Sequence, residues 1–363
     1  MIKYLGSKRR LVGKIAALVG ADETATSVLD LFSGTARVGH ALKAAGYRVI
    51  ANDHNAYAHV LGRCYVQADR EDVEIEASRV LADLRRARPR AGWFTHTYCE
   101  RARYFQPHNG ERIEGIRERI AELGLRPDVE AVALVSLMEA ADRVDSTTGV
   151  QMAYLKGWAP RSFGELELRM PRVLPRARHG RGAAHGLDAE TAVGMLEADV
   201  AYLDPPYNQH SYLGNYHVWE TLVRWDTPAT YGVACKRTDV RERRSAFNLR
   251  GSFAEALRRV VAKVRARTLV VSFSDESWVS AVDLEALLRD RAEDVAFFEV
   301  PYDRYVGAKI GIYNARGERV GTPGRLRNVE RLFVAGRSEV VDRARAIAAS
   351  WSESRQSVLS FGP

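Results

Sequence analysis

Cysteine is scarce in this sequence: Cys64, Cys99 and Cys235 are the only three in 363 residues, and no two form a C-x-x-C pair. So odd and scattered a set excludes a disulfide framework and fits a reducing, cytoplasmic setting. His96, Cys99 and His108 are spaced too loosely for a zinc cluster, and no metal is expected. No stretch approaches the ~20 consecutive apolar residues of a membrane-spanning helix. The chain opens Met1-Ile2-Lys3-Tyr4 without an apolar leader, so the protein is expected to be cytoplasmic. No internal repeat is present, which excludes solenoids and propellers. Charge is abundant: 54 Lys and Arg against 46 Asp and Glu leave a net charge of +8. The basic residues crowd into 169–181, 236–250 and 258–267. Such clusters suit a polyanion, whose neutralised phosphates release counterions, or equally a solvated surface written in arginine.

A chain of 363 residues accommodates one large α/β domain with a substantial insertion, or two domains. Residues 27–32 read as a buried strand, 35–45 as a helix and 47–52 as a second strand, a βαβ opening. Ahead of it Ser7 caps an expected helix over 8–19, with Leu11, Ile15 and Leu18 at helical spacing. Over 56–185 the pattern becomes helical. Val73, Ala77, Val80, Leu81 and Leu84 form one stripe, Ile113, Ile116, Ile120 and Leu123 another, and a more apolar helix covers 128–144. The α/β pattern resumes after a Pro/Arg/Gly-rich stretch at 171–186. Strands are expected at 200–203, 268–274, 295–300 and near 332–334, with helices at 252–264 and 282–291. Residues 1–55 and 186–336 thus make one domain, 56–185 a helical insert, and 337–363 a terminal helix with a polar end. The polar, glycine-bearing segment 302–328 reads as a long exposed loop or hairpin.

Two motifs carry chemistry. Gly34-Thr35-Ala36-Arg37-Val38-Gly39 follows the first strand and lets a ligand approach the strand end and the next helix. Asp53 ends the second strand, where an acid meets ribose hydroxyls. Alone, this pair suits a nicotinamide dinucleotide as well as any other adenosine ligand. Asp30 supplies a second acid suited to an ammonium group, and no diphosphate-sized partner motif is present. Both features favour adenosine joined to a methionine-type amino acid. The second motif is Asp204-Pro205-Pro206-Tyr207 behind the apolar run 198–203. The prolines cannot continue a ladder, so a carboxylate, rigid carbonyls and a flat ring face one pocket, a grip for a planar amine. An ordinary Pro-Pro turn is the plainer alternative.

With Asp30-Leu31-Phe32-Ser33-Gly34, Asn52-Asp53 and Asp204-Pro205-Pro206-Tyr207 in this order, the chain resembles the Dam-like class of S-adenosylmethionine-dependent, adenine-specific DNA methyltransferases. Lys3-Tyr4-Leu5-Gly6-Ser7-Lys8 looks like the first motif of that class, and Tyr216-His217, the Phe247 region and 309–314 share its look. The resemblance covers about residues 1–336. It implies a Rossmann-like methyltransferase sheet, mostly parallel with an antiparallel terminal strand, interrupted by a helical target-recognition insert. It implies S-adenosylmethionine as cofactor and double-stranded DNA as partner, with a cognate restriction endonuclease in a restriction–modification system. Carried over, Tyr4, Gly6 and Lys8 border the cofactor. Asp30 and Gly34, with Phe32 between them, hold its methionine part, Asp53 its ribose, and Asp188 lies near its adenine edge, although an Asp beside Gly186 is commonly a turn former. The departure is at Ala36, where Arg37 adds bulk to the loop.

Asp204, Pro205, Pro206 and Tyr207 are then the catalytic set: the carboxylate and the Pro205 carbonyl accept from the adenine amine, and Tyr207 stacks on the flipped base. Arg237, Arg241 and Arg243 are expected on DNA phosphates, and Asn109 and Arg112 at base edges, their plainer reading being a helix cap and a solvated arginine. Two rivals stay open: an RNA amino-group methyltransferase, which also carries Asp-Pro-Pro-Tyr, and a non-catalytic DNA-binding protein with this fold.

Overall fold

A computed structural model describes every residue except Ser7 and residues 207–210, 275–276, 304–311, 314–318, 322–326 and 360–363. Strands β1 (Ser27–Asp30), β2 (Arg48–Asn52), β3 (Ala183–His185), β4 (Val200–Leu203), β7 (Thr268–Ser274), β8 (Asp294–Asp303) and β11 (Arg327–Gly336) form one seven-stranded sheet in the order β3-β2-β1-β4-β7-β11-β8. Four short strands lie outside it: the hairpin β5 (Thr230–Tyr231) and β6 (Lys236–Arg237), and the pair β9 (Ile312–Tyr313) and β10 (Arg319–Gly321). Strands β2, β1, β4 and β7 run parallel, and β11 is antiparallel to both β7 and β8. This is the mostly parallel sheet with an antiparallel terminal strand that the sequence implies.

Strand residues alternate between two cores, as the two-residue period of a strand dictates for a sheet covered on both faces. Val28, Val200, Tyr202, Val270, Leu332 and Val334 point into one. Leu29, Ala201, Leu203, Leu269, Val271 and Phe333 point into the other. The first core is covered by helices α1 (Val12–Val19) and α2 (Arg37–Ala44), by the C-terminal helix Ser338–Leu359, and by the insert. In the insert lie α3 (Ala56–Gly62), α4 (Arg70–Leu84), α5 (Trp93–Thr95), α6 (Pro107–Glu122) and α7 (Pro127–Arg143). The second core is covered by α8 (Ala189–Met195), α11 (Arg250–Lys263) and α12 (Ala281–Arg289); between β4 and β5 lie α9 (Tyr212–Asn215) and α10 (His217–Arg224).

The expected stripes of the insert are buried, and its side chains join the same apolar cluster as α1 and the sheet face. Residues 183–185, which the sequence reading left at the end of the insert, form edge strand β3 beside β2. Ala-Ala-His offers little β-propensity, and only pairing reveals it. The first helix starts at Val12 rather than at residue 8, because the Lys8 carbonyl accepts from the Leu11 and Val12 N–H groups in a turn that turns the Lys8 side chain inward.

Asn109 and Arg112 are corrections to the sequence reading. Asn109 is fully buried and donates to the carbonyls of Ser162 (3.1 Å) and Gly164 (2.9 Å). Arg112 donates to the carbonyls of Ala87 and Arg85. Both stitch segments of the insert together, and burial removes Asn109 from any base edge. Asn109→Ala should therefore destabilise the fold by about 1–3 kcal/mol, by leaving two carbonyls without their donor. A lowered urea midpoint with unchanged slope is the expected readout, and an unchanged midpoint would contradict this role.

Candidate active site

Strands β2, β1 and β4 lie side by side, and β1 and β4 are the neighbours at which the strand order reverses. Open α/β sheets bind ligands at the carboxyl ends of such strands. Asp30 ends β1, Asn52 and Asp53 end β2, and Asp204 follows β4, so all converge on one cleft of about 940 Å³, its open mouth included. Tyr4, Gly6, Lys8, Phe32, Gly34, Asp188 and Pro206 also line it. The sequence-expected cofactor and catalytic residues are thus brought together, except Pro205, which is buried just behind, and Tyr207, which lies outside the described residues.

The glycine-loop end of the cleft is built on backbone groups. Asp53 accepts the Gly34 N–H (3.0 Å) with one oxygen and the Asn55 N–H (3.0 Å) with the other. Gly34 has φ +50°, and a Cβ there would stand 3.3 Å from a Tyr4 ring carbon, so a side chain would be strained there. Asn52 ties this edge to the next turn, donating to the Leu31 and Leu187 carbonyls and accepting from the Leu187 N–H. Asp188 is both turn former and cleft wall: it caps α8 by accepting from the Glu190 N–H (2.9 Å). Phe32 lies at the cleft with its ring edge-to-face on Phe247 at 5.1 Å. Arg37 also lines the cleft, and burial lowers its pKa.

Asp30 is buried and accepts the Gly39 N–H (3.0 Å). Burial pushes its carboxyl up to about 7; Asp204 and Asp53 add to this and the Gly39 N–H opposes it. No ion pair joins Asp30 to a cation among the described residues. A buried carboxylate without a counter-ion, beside a second acid and a glycine cradle, fits a cationic ligand that also carries hydroxyls.

At the other end stands a stack of rings. Tyr4 lies between Tyr216 (centroids 4.6 Å, 13°) and Tyr212 (5.2 Å, 7°), and Tyr212 itself lines the cleft. Lys8, expected beside the cofactor, is found in an ion-pair cluster: its Nζ is 3.1 Å from Asp204 Oδ1 and 2.5 Å from Glu330 Oε1. Ser272 donates to the same Glu330 oxygen at 2.7 Å. Burial pushes the Asp204 carboxyl up to about 6, with Glu330 adding and Lys8 opposing. Glu330, Ser272 and Tyr212 escaped the sequence reading. The one signal for Glu330 was a lone acid ahead of the apolar run Leu332-Phe333-Val334.

The three expected phosphate contacts separate. Arg237 is 2% exposed and bonded to Asp226 (2.6 and 2.7 Å) and Asp239 (3.0 Å), which removes it from any phosphate. Arg243 lines the cleft and is held by Glu220 at 2.8 Å. Arg241 is exposed and lies 3.8 Å over the Tyr231 ring. The cysteines are all buried and free, and no helix among the described residues is long and apolar enough to cross a membrane.

Known proteins are similar to this chain in sequence. The Type II methyltransferase M.FokI of Planomicrobium okeanokoites is 28% identical over 325 residues, 84% of this chain and 50% of its own length, so the chain spans about half of that relative. M.NlaIII of Neisseria lactamica is 28% identical over 77% of this chain and 85% of its own length. M.CviAII of Paramecium bursaria Chlorella virus 1 is 32% identical over 79% of this chain and 87% of its own length. Residues 4–287, which hold every motif from Tyr4 to Asp204, match the family model for D12 class N6 adenine-specific DNA methyltransferases, and the chain belongs to that family.

Proposed function

We propose that this protein transfers a methyl group from S-adenosylmethionine to the exocyclic amine of adenine in duplex DNA. In this reading it is the modification partner of a cognate restriction endonuclease. The observation that carries it is the meeting of Asp204, held by Lys8, with the two acids Asp30 and Asp53 in one cleft. The family match favours neither the RNA reading nor the non-catalytic one.

S-adenosylmethionine, when bound, supplies an electrophilic methyl on a positively charged sulfur. Asp30 and Asp53 fit it as counter-ion and ribose acceptor, and Gly34 leaves room for its approach. The amine of adenine is a poor nucleophile because its lone pair is delocalised into the ring. Asp204 and the Pro205 carbonyl accept from its two N–H bonds, draw the nitrogen towards a tetrahedral state and free the lone pair. Positive charge then develops on that nitrogen, next to an anion fixed in advance, the arrangement that lowers a barrier most. The amine lies inside the stacked duplex, so the adenine leaves it to reach the cleft, at a cost of a few kcal/mol that stacking on an aromatic ring offsets by about 1–3 kcal/mol. The helical insert, with exposed Arg241, supplies the DNA surface in this reading.

Asp204→Ala should abolish N6-methyladenine, read by nucleoside mass spectrometry of treated DNA, while cofactor affinity stays within a few-fold. Asp53→Ala should weaken cofactor binding by about 1–3 kcal/mol. Equal loss of cofactor in both, or methylcytosine as the product, would contradict the assignment.

The Asp30 carboxyl sits near 7 in the free protein, and a bound cation lowers it. Below that pH the acid must release a proton before the cation binds. Cofactor affinity should therefore fall as pH drops from 8 to 6, approaching about tenfold per unit, and binding should release protons. Calorimetry in buffers of different ionisation enthalpy measures both. Asp30→Asn should bind weakly and independently of pH.

Arg241→Ala should weaken binding to every duplex and reduce the slope of log affinity against log salt by roughly one, leaving the preferred site unchanged. Arg237→Ala should instead lower thermal stability, because it strips two acids of their buried partner. A salt slope changed by Arg237→Ala in a fully folded protein would reverse this assignment.

A further inference from the structure

We propose that Glu330 is a positioning residue for methyl transfer: it shares the Lys8 ammonium with Asp204, so that the ammonium does not fully neutralise that carboxylate and the cluster keeps a net negative charge facing the target amine. This rests on the reading of Asp204 as the group that grips adenine.

The cluster joins three remote parts of the chain. Lys8 comes from the amino-terminal segment, Asp204 from the end of β4, and Glu330 from β11, with Ser272 of β7 bonded to Glu330. The side chains of Lys8 and Glu330 are 8% and 6% exposed. Buried ion pairs stabilise folds weakly, since well-packed apolar residues do as well, so packing alone gives no reason for an acid here. Charge gives one. Lys8 with Asp204 alone is neutral, and a neutral pair stabilises poorly a positive charge developing on the amine. Adding Glu330 leaves the cluster with one net negative charge. The ammonium lies nearer Glu330 (2.5 Å) than Asp204 (3.1 Å), so Asp204 is supported without being fully neutralised.

The groups facing Asp204 among the described residues are Lys8, Glu330, Tyr202 on its own strand and, through their mutual field, Asp30 at the end of β1. Of these, Lys8 and the Tyr202 hydroxyl lower the Asp204 carboxyl and Glu330 raises it. Removing the Glu330 charge therefore makes Asp204 more acidic and removes net negative charge. Removing the Lys8 charge leaves buried carboxylates facing one another, and Asp204 takes up a proton near neutral pH.

The test is the pH profile of N6-methyladenine formation from pH 5 to 9 on plasmid DNA, for the wild type, Glu330→Gln, Lys8→Met, the double variant and Asp204→Ala. Cofactor binding is followed by calorimetry with S-adenosylhomocysteine as probe. Glu330→Gln should bind the probe within a few-fold of wild type, lose about tenfold in rate at pH 8, and move the acid limb down by roughly one unit. Lys8→Met should move that limb up. The double variant, which restores one net negative charge, should be faster at pH 7 than Lys8→Met alone. A Glu330→Gln profile that superimposes on the wild type overturns the proposal, whether or not Lys8→Met folds. So does a double variant no faster than a folded Lys8→Met. If Asp204→Ala itself still methylates, the reading of Asp204 fails; if it is inactive while Glu330→Gln behaves as wild type, only the role of Glu330 fails.

Discussion

One ammonium group between a buried and a half-buried carboxylate ties this molecule together. Lys8 reaches Asp204 and Glu330, and by doing so it fixes the amino-terminal segment across the carboxyl end of β4 and the amino-terminal half of β11. With that segment anchored, Tyr4 comes to rest over Gly34 and between Tyr212 and Tyr216, and Gly6, at φ +74°, lets the chain pass between the two anchor points. The wall of the cleft, the conformation of the glycine loop and the charge of Asp204 therefore have one origin. An uncompensated buried charge is expensive, so the three side chains constrain one another more strongly than apolar contacts would.

Much of the fold was legible because strands and helices announce their periods. The buried strands 200–203 and 268–274 match in full, and the insert helices follow their stripes. Misreadings occur where pairing or turn chemistry decides: β3 is three residues of low propensity, and α2 begins only at Arg37 because Ala36 sits in the left-handed region at φ 56°. The site was legible where acids stand at strand ends next to glycine or proline. Glu330 was not, since one acid in a strand more than 120 residues after Asp204 carries no local signal of its partner. Lys8 was placed at the cleft, but its ion-pair partner Glu330 was not, because sequence order cannot show that residues 8 and 330 meet.

The basic stretch behind the catalytic motif teaches a complementary point. Its arginines look alike in sequence, yet Arg237 is consumed by two internal acids, Arg243 braces the cleft through Glu220, and Arg241 alone of the three is exposed. Arginine earns its place inside proteins by planar, bidentate pairing with carboxylates, so net charge overstates the surface offered to a polyanion. The same holds in the insert, where Asn109 and Arg112 satisfy carbonyls of the loops around them. The insert shares its core with one sheet face, so a DNA surface on it is held rigidly relative to the cleft.

The central claim, that Asp204 grips an adenine amine while Lys8 holds it ionised and Glu330 keeps the cluster negative, is tested most directly by a crystal structure with S-adenosylhomocysteine and a duplex carrying the methylated sequence. The account predicts an extrahelical adenine whose amine lies within hydrogen-bond distance of the Asp204 carboxylate and the Pro205 carbonyl, with Lys8 still bonded to Glu330. An adenine left stacked in the duplex, or seated with its amine turned away from Asp204, would contradict it.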